Sequence, residues 1–343
     1  PMPRICLLLL LPVLSLLSGC AAGPQPVFQH DVTGTATPWT DQAFDNDPGT
    51  FTFAVFSDLT GGERDGIFNV AIEQLRLLRP ELIVNVGDLV EGGDFSRRHL
   101  EQEWDDFDRR ASRARAPVFH TGGNHDLSSE LQREIWRQRY GRLYYYFVYK
   151  DTLFLVLDTE DNPPEYQAYL ARIRSEAELV FQQGGWDAWR ETEYGQSEER
   201  RTGRIGPVQA AWFREVIARN PDVRHTFLLM HKAAWERPEE ENFATIEAAL
   251  ADRPYTVFHG HVHDYRWLQR HGRDYIRLAT TGGVQLEGAE SAFDHVTLVT
   301  VSDAGVDIAN LRLDGILDKT GQIPAGGEAL CFEAASCGQA PTP

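Results

Sequence analysis

Short apolar runs alternate with stretches of helical period along the first third of the chain. Residues 51–56, FTFAVF, predict a strand. From 66 to 78, Ile67, Val70, Ala71, Leu75 and Leu78 fall on one face of a helix, and Arg79-Pro80 ends it. Residues 82–86 predict a second strand, 100–114 an amphipathic and highly charged helix, and 117–120 a third, short strand. The order β-α-β-α-β implies parallel pairing with right-handed crossovers. Residues 143–149 and 152–157 predict a hairpin whose two-residue turn, Lys150-Asp151, lacks the usual Gly. Residues 158–206 are polar, acidic and Trp-bearing, and read as an insertion with some helix at 165–181. Pro207 opens a helix running to 218. Strands are expected at 223–230, 255–258, 275–279, 292–301 and 306–313, with a helix closing at 246–251. No internal repeat is visible. The last stretch, 316–343, is rich in Gly and Ala and reads as a loosely ordered tail.

A chain of 343 residues is long enough for one large α/β domain or two small ones. The pattern favours one, spanning 51–315. The formal net charge of −18 leaves no basic excess to neutralise phosphates, which argues against nucleic acid as a partner.

The N-terminus reads as a processing signal. Arg4 precedes an apolar run, 5–17, too short for a typical membrane span. Leu17-Ser18-Gly19-Cys20 then resembles the lipobox of bacterial lipoproteins. That resemblance implies a signal peptide over 1–19, lipid on Cys20, a flexible tether over 20–50 and a place on a membrane surface of the bacterial cell envelope, on its periplasmic side. Cys6 would leave with the signal. Export to an oxidising compartment makes a disulfide between Cys331 and Cys337 the expectation.

Five short segments carry candidate chemistry: Asp58-Leu59-Thr60, Gly87-Asp88, Gly123-Asn124-His125-Asp126, Met230-His231-Lys232 and Gly260-His261-Val262-His263. Each follows a predicted strand, and in open α/β sheets ligands bind beyond the carboxyl ends of strands. Together they offer carboxylate oxygen, amide oxygen and imidazole nitrogen, the donors that divalent first-row cations take. A carboxylate between two such cations can bridge them, and two cations can clamp the attacking and leaving oxygens of a phosphoester. The glycines before Asp88, Asn124 and His261 would let the backbone turn sharply there.

In this order and spacing, the segments resemble the calcineurin-like metallophosphoesterases, whose motifs run D-x-H, G-D, G-N-H-[DE], H and G-H-x-H. The match covers about residues 51–300, with four of the five motifs intact. The resemblance implies a four-layer α/β sandwich, two mixed sheets flanked by helices. It implies two divalent cations (Mn, Fe or Zn) and a phosphoester substrate. Asp58 and His263 would hold the first cation, Asp88 would bridge, and Asn124, His231 and His261 would hold the second. His125 would protonate the leaving group, with Asp126 orienting its imidazole. The departure is Thr60, which stands where the family has His; a hydroxyl is a far poorer ligand than imidazole. Glu63 or Asp65 could substitute, or remain solvated loop carboxylates. His120, His225 and His259 lie beside the motifs as candidate supporting residues, whereas His99, His271 and His295 read as surface or packing residues. Thr60 also leaves room for a rival reading, a membrane-anchored binding or scaffold protein on a decayed phosphoesterase fold. The 158–206 insertion is where a preference between monoesters and diesters would be set.

Overall fold

A computed structural model of the chain describes residues 48–93, 96–238, 240–285, 291–333 and 335. The signal sequence, Cys20, nearly all of the tether and Cys337 lie outside the described residues.

The strand-forming runs build two sheets. β1 (Phe51–Phe56), β2 (Leu82–Asn85) and β3 (Val118–Phe119) pair in parallel. They are joined through α1 (Ile67–Leu78) and α2 (Arg97–Ala111). β10 (His295–Ser302) then lies antiparallel to β1, and β11 (Gly305–Arg312) antiparallel to β10. The first sheet therefore runs β11-β10-β1-β2-β3. In the second, β4 (Tyr145–Tyr149) and β5 (Thr152–Val156) form the expected hairpin. Lys150 and Asp151 both take positive φ, 42° and 56°, the twist a tight hairpin needs, without a glycine. β6 (His225–Leu229), β7 (Tyr255–His259) and β9 (Arg273–Arg277) continue the sheet in parallel, and β8 (Arg266–Arg270) closes it antiparallel to β9. Its order is β4-β5-β6-β7-β9-β8.

Three apolar clusters define four layers. Between the sheets lie Phe53, Val55, Val84, Phe154, Phe227 and Phe258. On the far side of the first sheet, Ala54, Phe56 and Ile83 meet Ile72 and Leu75 of α1 and Trp104 and Phe107 of α2. On the far side of the second, Leu155, Leu228 and Val257 meet Phe213 of α7 (Pro207–Arg219) and Ile246 of α8 (Glu241–Ala249). Central strands buried on both faces read as continuous apolar runs, which is why they were visible in the sequence. The expected four-layer sandwich of two mixed sheets flanked by helices is the fold observed.

Besides the edge strand β8, three features differ from expectation. α3 (Glu130–Arg139) was not foreseen, because its buried face is built partly from Gln132 and Arg133 beside Ile135 and Trp136. In the insertion, α4 (Pro164–Arg190) runs past 181, with non-helical backbone at Gly185, and is followed by the short α5 (Glu193–Gln196) and α6 (Glu198–Arg201). The stretch from 316 is not loose as far as 333. Pro324–Ala329 forms a 3-10 turn, Phe332 is buried in the α1 cluster, and the Phe332 carbonyl accepts the Asp294 N–H at 2.9 Å. Cys331 is disulfide-bonded.

Candidate metal centre

All five ligand-bearing segments follow strands and converge where the two sheets meet. Asp58 comes after β1, Asp88 after β2, Asn124 after β3, His231 after β6, and His261 and His263 after β7. Ligand atoms of Asp58, Asp88 and His263 lie within 4.8 Å of one another, and so do those of Asp88, His231 and His261. Asp88 belongs to both groups, which is what a bridging carboxylate requires. His231 Nε2 is 3.1 Å from Asp88 Oδ2 and 3.2 Å from Asn124 Oδ1; His263 Nε2 is 3.3 Å from Asp58 Oδ1.

The donor set fits divalent cations in a second respect. The nitrogen of each imidazole that faces away from the cluster meets a backbone carbonyl. His231 Nδ1 meets Val86 O at 2.8 Å, His263 Nδ1 meets Val284 O, and His261 Nε2 meets Arg200 O. Donation to those carbonyls fixes each ring and leaves the inward nitrogen with a lone pair. The carboxylates are fully buried, which is costly unless a positive charge compensates. Burial opposes ionisation of Asp88, but His231 and then His125 outweigh it and hold the carboxyl well below the usual range. His231 answers in kind: burial pulls it down, yet Asp88 raises it to about 9.

The loops achieve this at some backbone cost. Asp58, Asp88, His261 and His263 all take positive φ, between 41° and 79°, a region that costs about 1–3 kcal/mol for residues other than Gly. The glycines serve close approach more than turning. A Cβ at Gly260 would sit 2.2 Å from Asp58 Oδ2, and one at Gly123 would sit 2.3 Å from Asp88 Oδ1. Only Gly87, at φ 97°, is also needed for its conformation.

Thr60 is not turned toward the cluster as a ligand. Its hydroxyl lies 3.0 Å from Val90 O and 3.2 Å from Asp88 O, buried beneath the loop. Glu63 does not substitute either, because its carboxylate pairs with Arg110. Asp126 requires a correction. Its carboxylate accepts the N–H groups of Gly123, Asp88, Leu89 and Val90 at 2.8–3.1 Å, and so welds two ligand loops together. Burial, and next the charge of Asp88, push it up to about 7. The group that orients the His125 ring is the Glu91 carbonyl, 2.7 Å from Nδ1, with the Glu91 carboxylate 3.9 Å away. That carboxylate also accepts N–H groups of Gly62 and Glu63 at 2.9 and 2.7 Å. Glu91 was missed in the sequence; the only signal was an acid three residues after Asp88.

Of the flanking histidines, His259 packs edge-on against Trp235 and His225 bonds Thr256, so both support strands. His120 lies against Tyr140 and Phe107. His295, expected on the surface or in packing, is buried beside Tyr265 and Phe293.

No curated protein matches the chain. Among solved structures it is similar to a dimetal phosphatase from Danio rerio, with 16% identity and a TM-score of 0.48, covering 76% of this chain and 98% of that one. It is also similar to GAP50, the anchor in the inner membrane complex of Plasmodium, with 10% identity and a TM-score of 0.48 over 80% of this chain and 87% of that one. A purple acid phosphatase from yellow lupin seeds shares 12% identity at a TM-score of 0.46; the match covers 78% of this chain and 53% of that one. The family model for calcineurin-like phosphoesterases matches residues 51–265, the span that carries all six ligand candidates, and the chain belongs to that family.

Proposed function

We propose that this chain hydrolyses phosphoesters with two divalent cations, Mn, Fe or Zn, held by Asp58, Asp88 and His263 on one side and by Asp88, Asn124, His231 and His261 on the other. The observation that carries this reading is the pair of overlapping donor groups that share Asp88. Bound there, two cations would supply charge stabilisation at the phosphoryl oxygens and activate water at neutral pH. The chain's own residues do the rest. His125, held by the Glu91 carbonyl through Nδ1, is left with Nε2 for the proton that the departing oxygen needs. Gly61 lies beside that nitrogen and beside His263, where a Cβ would come within 3.6 Å of both rings.

The test compares esters of good and poor leaving groups. His125→Ala should retain its cations and lose about 10²–10⁴ in rate, with the larger loss on the poor leaving group. Equal losses on both would argue against proton donation by His125. A binding or scaffold protein on a decayed site is favoured by one observation, the turned-away Thr60. Metal-loaded wild-type protein that turns over no ester would leave that reading standing.

The same proposal places the protein on a membrane of the bacterial cell envelope, lipidated at Cys20 on its periplasmic side. Leu17-Ser18-Gly19-Cys20 supports this. Fractionation of cells expressing the full chain tests it, and recovery in the soluble fraction would contradict it.

A further inference from the structure

The insertion, residues 158–206, has a small apolar cluster of its own, Leu170, Ile173, Ala177 and Tyr194. It is clasped to the metal loops at several points. Lys232, buried next to His231, reaches Glu160 Oε1 at 2.7 Å and the Glu199 carbonyl at 2.6 Å. The Arg200 carbonyl holds the outer nitrogen of His261. The Arg133 guanidinium bonds the Glu160 carbonyl and lies 3.3 Å from Asp158. Between these points α4 reaches the Asn124 loop through Arg174.

Along α4 the buried positions are Leu170, Ile173 and Ala177, packed on Tyr194. Arg174 falls at the remaining inward position of that stripe, four residues after Leu170 and three before Ala177. A half-buried arginine at such a place is expensive unless something compensates it. Arg200 and Arg253 are met by backbone carbonyls, and several other sheltered arginines in this acidic chain have carboxylate partners: Arg64 has Asp294, Arg110 has Glu63, Arg237 has Glu199 and Arg277 has Asp264. Among the described residues Arg174 has none. One of its nitrogens donates to the Asn124 carbonyl, and its guanidinium lies over the Tyr194 ring at 5.8 Å. Asn124 is itself a ligand candidate and His125 follows it, so this bond puts the guanidinium at the edge of the cluster. A guanidinium has five N–H donors, so most of the fork is left for an anion arriving at the cluster.

We propose that Arg174 is a substrate-binding residue whose guanidinium takes the terminal phosphoryl oxygens of a phosphate monoester, so that α4 makes the site select monoesters over diesters. This rests on the phosphoester-hydrolase reading above. A monoester brings two negative charges and three non-bridging oxygens. A diester brings one charge, and its second ester group occupies one of the positions the fork would reach. A planar guanidinium grips two oxygens at once, which a point charge does not.

The test uses the full chain loaded with Mn(II), as wild type, Arg174→Ala and Arg174→Lys. Arg172→Ala serves as a control, since Arg172 faces outward on the same helix and pairs with Glu176. Hydrolysis of nitrophenyl phosphate and bis-nitrophenyl phosphate is followed, metal content is measured, and binding of inorganic phosphate is titrated calorimetrically. Wild type should prefer the monoester. Arg174→Ala should lose about 10- to 100-fold in kcat/KM on the monoester and a similar factor in phosphate affinity. Its diester hydrolysis and metal content should stay near wild type. Arg174→Lys should fall between the two, and Arg172→Ala should match wild type. Equal losses on both esters, or unchanged phosphate affinity, would overturn the proposal. Wild type that turns over neither ester would sink the hydrolase reading instead. Phosphate affinity would then decide the role of Arg174 alone, and an unchanged value would overturn it.

Discussion

Thr60 shows how one side chain can be read two ways. Two positions after Asp58, it stands where an imidazole would complete a set of cation ligands. In the structure its hydroxyl instead faces the Val90 carbonyl at 3.0 Å, with the Asp88 carbonyl 3.2 Å away, at the turn that presents the shared carboxylate. Thr60 therefore supports Asp88 from beneath, and under the proposed function a cation beside Asp58 would rely on Asp58, Asp88, His263 and solvent. Thr60→Val keeps the shape and removes the donor from the buried Val90 carbonyl, while the Asp88 carbonyl keeps the Leu59 N–H at 3.0 Å. Chemical denaturation should show a loss of about 1–3 kcal/mol, with metal content per chain unchanged. If the variant instead lost one cation at unchanged stability, Thr60 would be a ligand after all. Asp126 carries the same lesson. Its position after His125 suggested that it steers the imidazole, yet four backbone N–H groups claim its carboxylate. A motif fixes which residues are near one another, and backbone donors that leave no trace in the sequence decide what each one touches.

At the scale of elements, the site depends on how closely strand-end loops approach. Gly260 lies where a Cβ would meet Asp58 Oδ2 at 2.2 Å and Ser57 Oγ at 2.5 Å, both buried and hemmed by backbone. Gly260→Ala should push the β1 and β7 loops apart and weaken one cation, that of Asp58 and His263. Metal titration checks this: a weakened first site with the second intact is expected, and two unchanged sites would mean the loops yield freely. The strands that carry most of these loops were legible because β1, β2, β6 and β7 are largely apolar, as strands buried on both faces must be. β8 was not legible. It is an edge strand, Arg-Trp-Leu-Gln-Arg, largely exposed, and charge on an edge serves to block further pairing. α3 escaped for the opposite reason, since Arg133 is buried there by its contact with Asp158 and the Glu160 carbonyl. Arg174 was invisible as a functional residue because a charge inside an amphipathic stripe reads as noise until its neighbours are known.

For the molecule as a whole, the buried cluster links stability to pH. Metal-free, the folded protein holds His231 at about 9 and raises His263, although burial opposes both, because Asp88 and Asp58 face them. In the unfolded chain both would titrate near 6.5. The stabilisation from these raised values is present in full below about pH 6.5 and fades as pH rises through the folded values. Between pH 7 and 9 the folded state binds more protons, so chelator-treated protein should lose about 1.4 kcal/mol per pH unit for each histidine still protonated. Cations bound at the cluster would take the place of those protons, so loaded protein should show a much flatter profile. Denaturation at pH 7 and pH 9, with and without metal, checks both halves. A flat metal-free profile would mean that the imidazoles are not paired with the carboxylates as described.

The central claim is that two cations share Asp88. The most direct measurement is metal content per chain, by elemental analysis after dialysis, for wild type and Asp88→Asn side by side. Substituting an amide for the shared carboxylate removes a negative charge from both donor groups at once. Two cations in wild type, and loss of both in the variant, is the expected result. One cation in wild type, or a variant that keeps one tight cation while losing the other, would contradict a shared carboxylate.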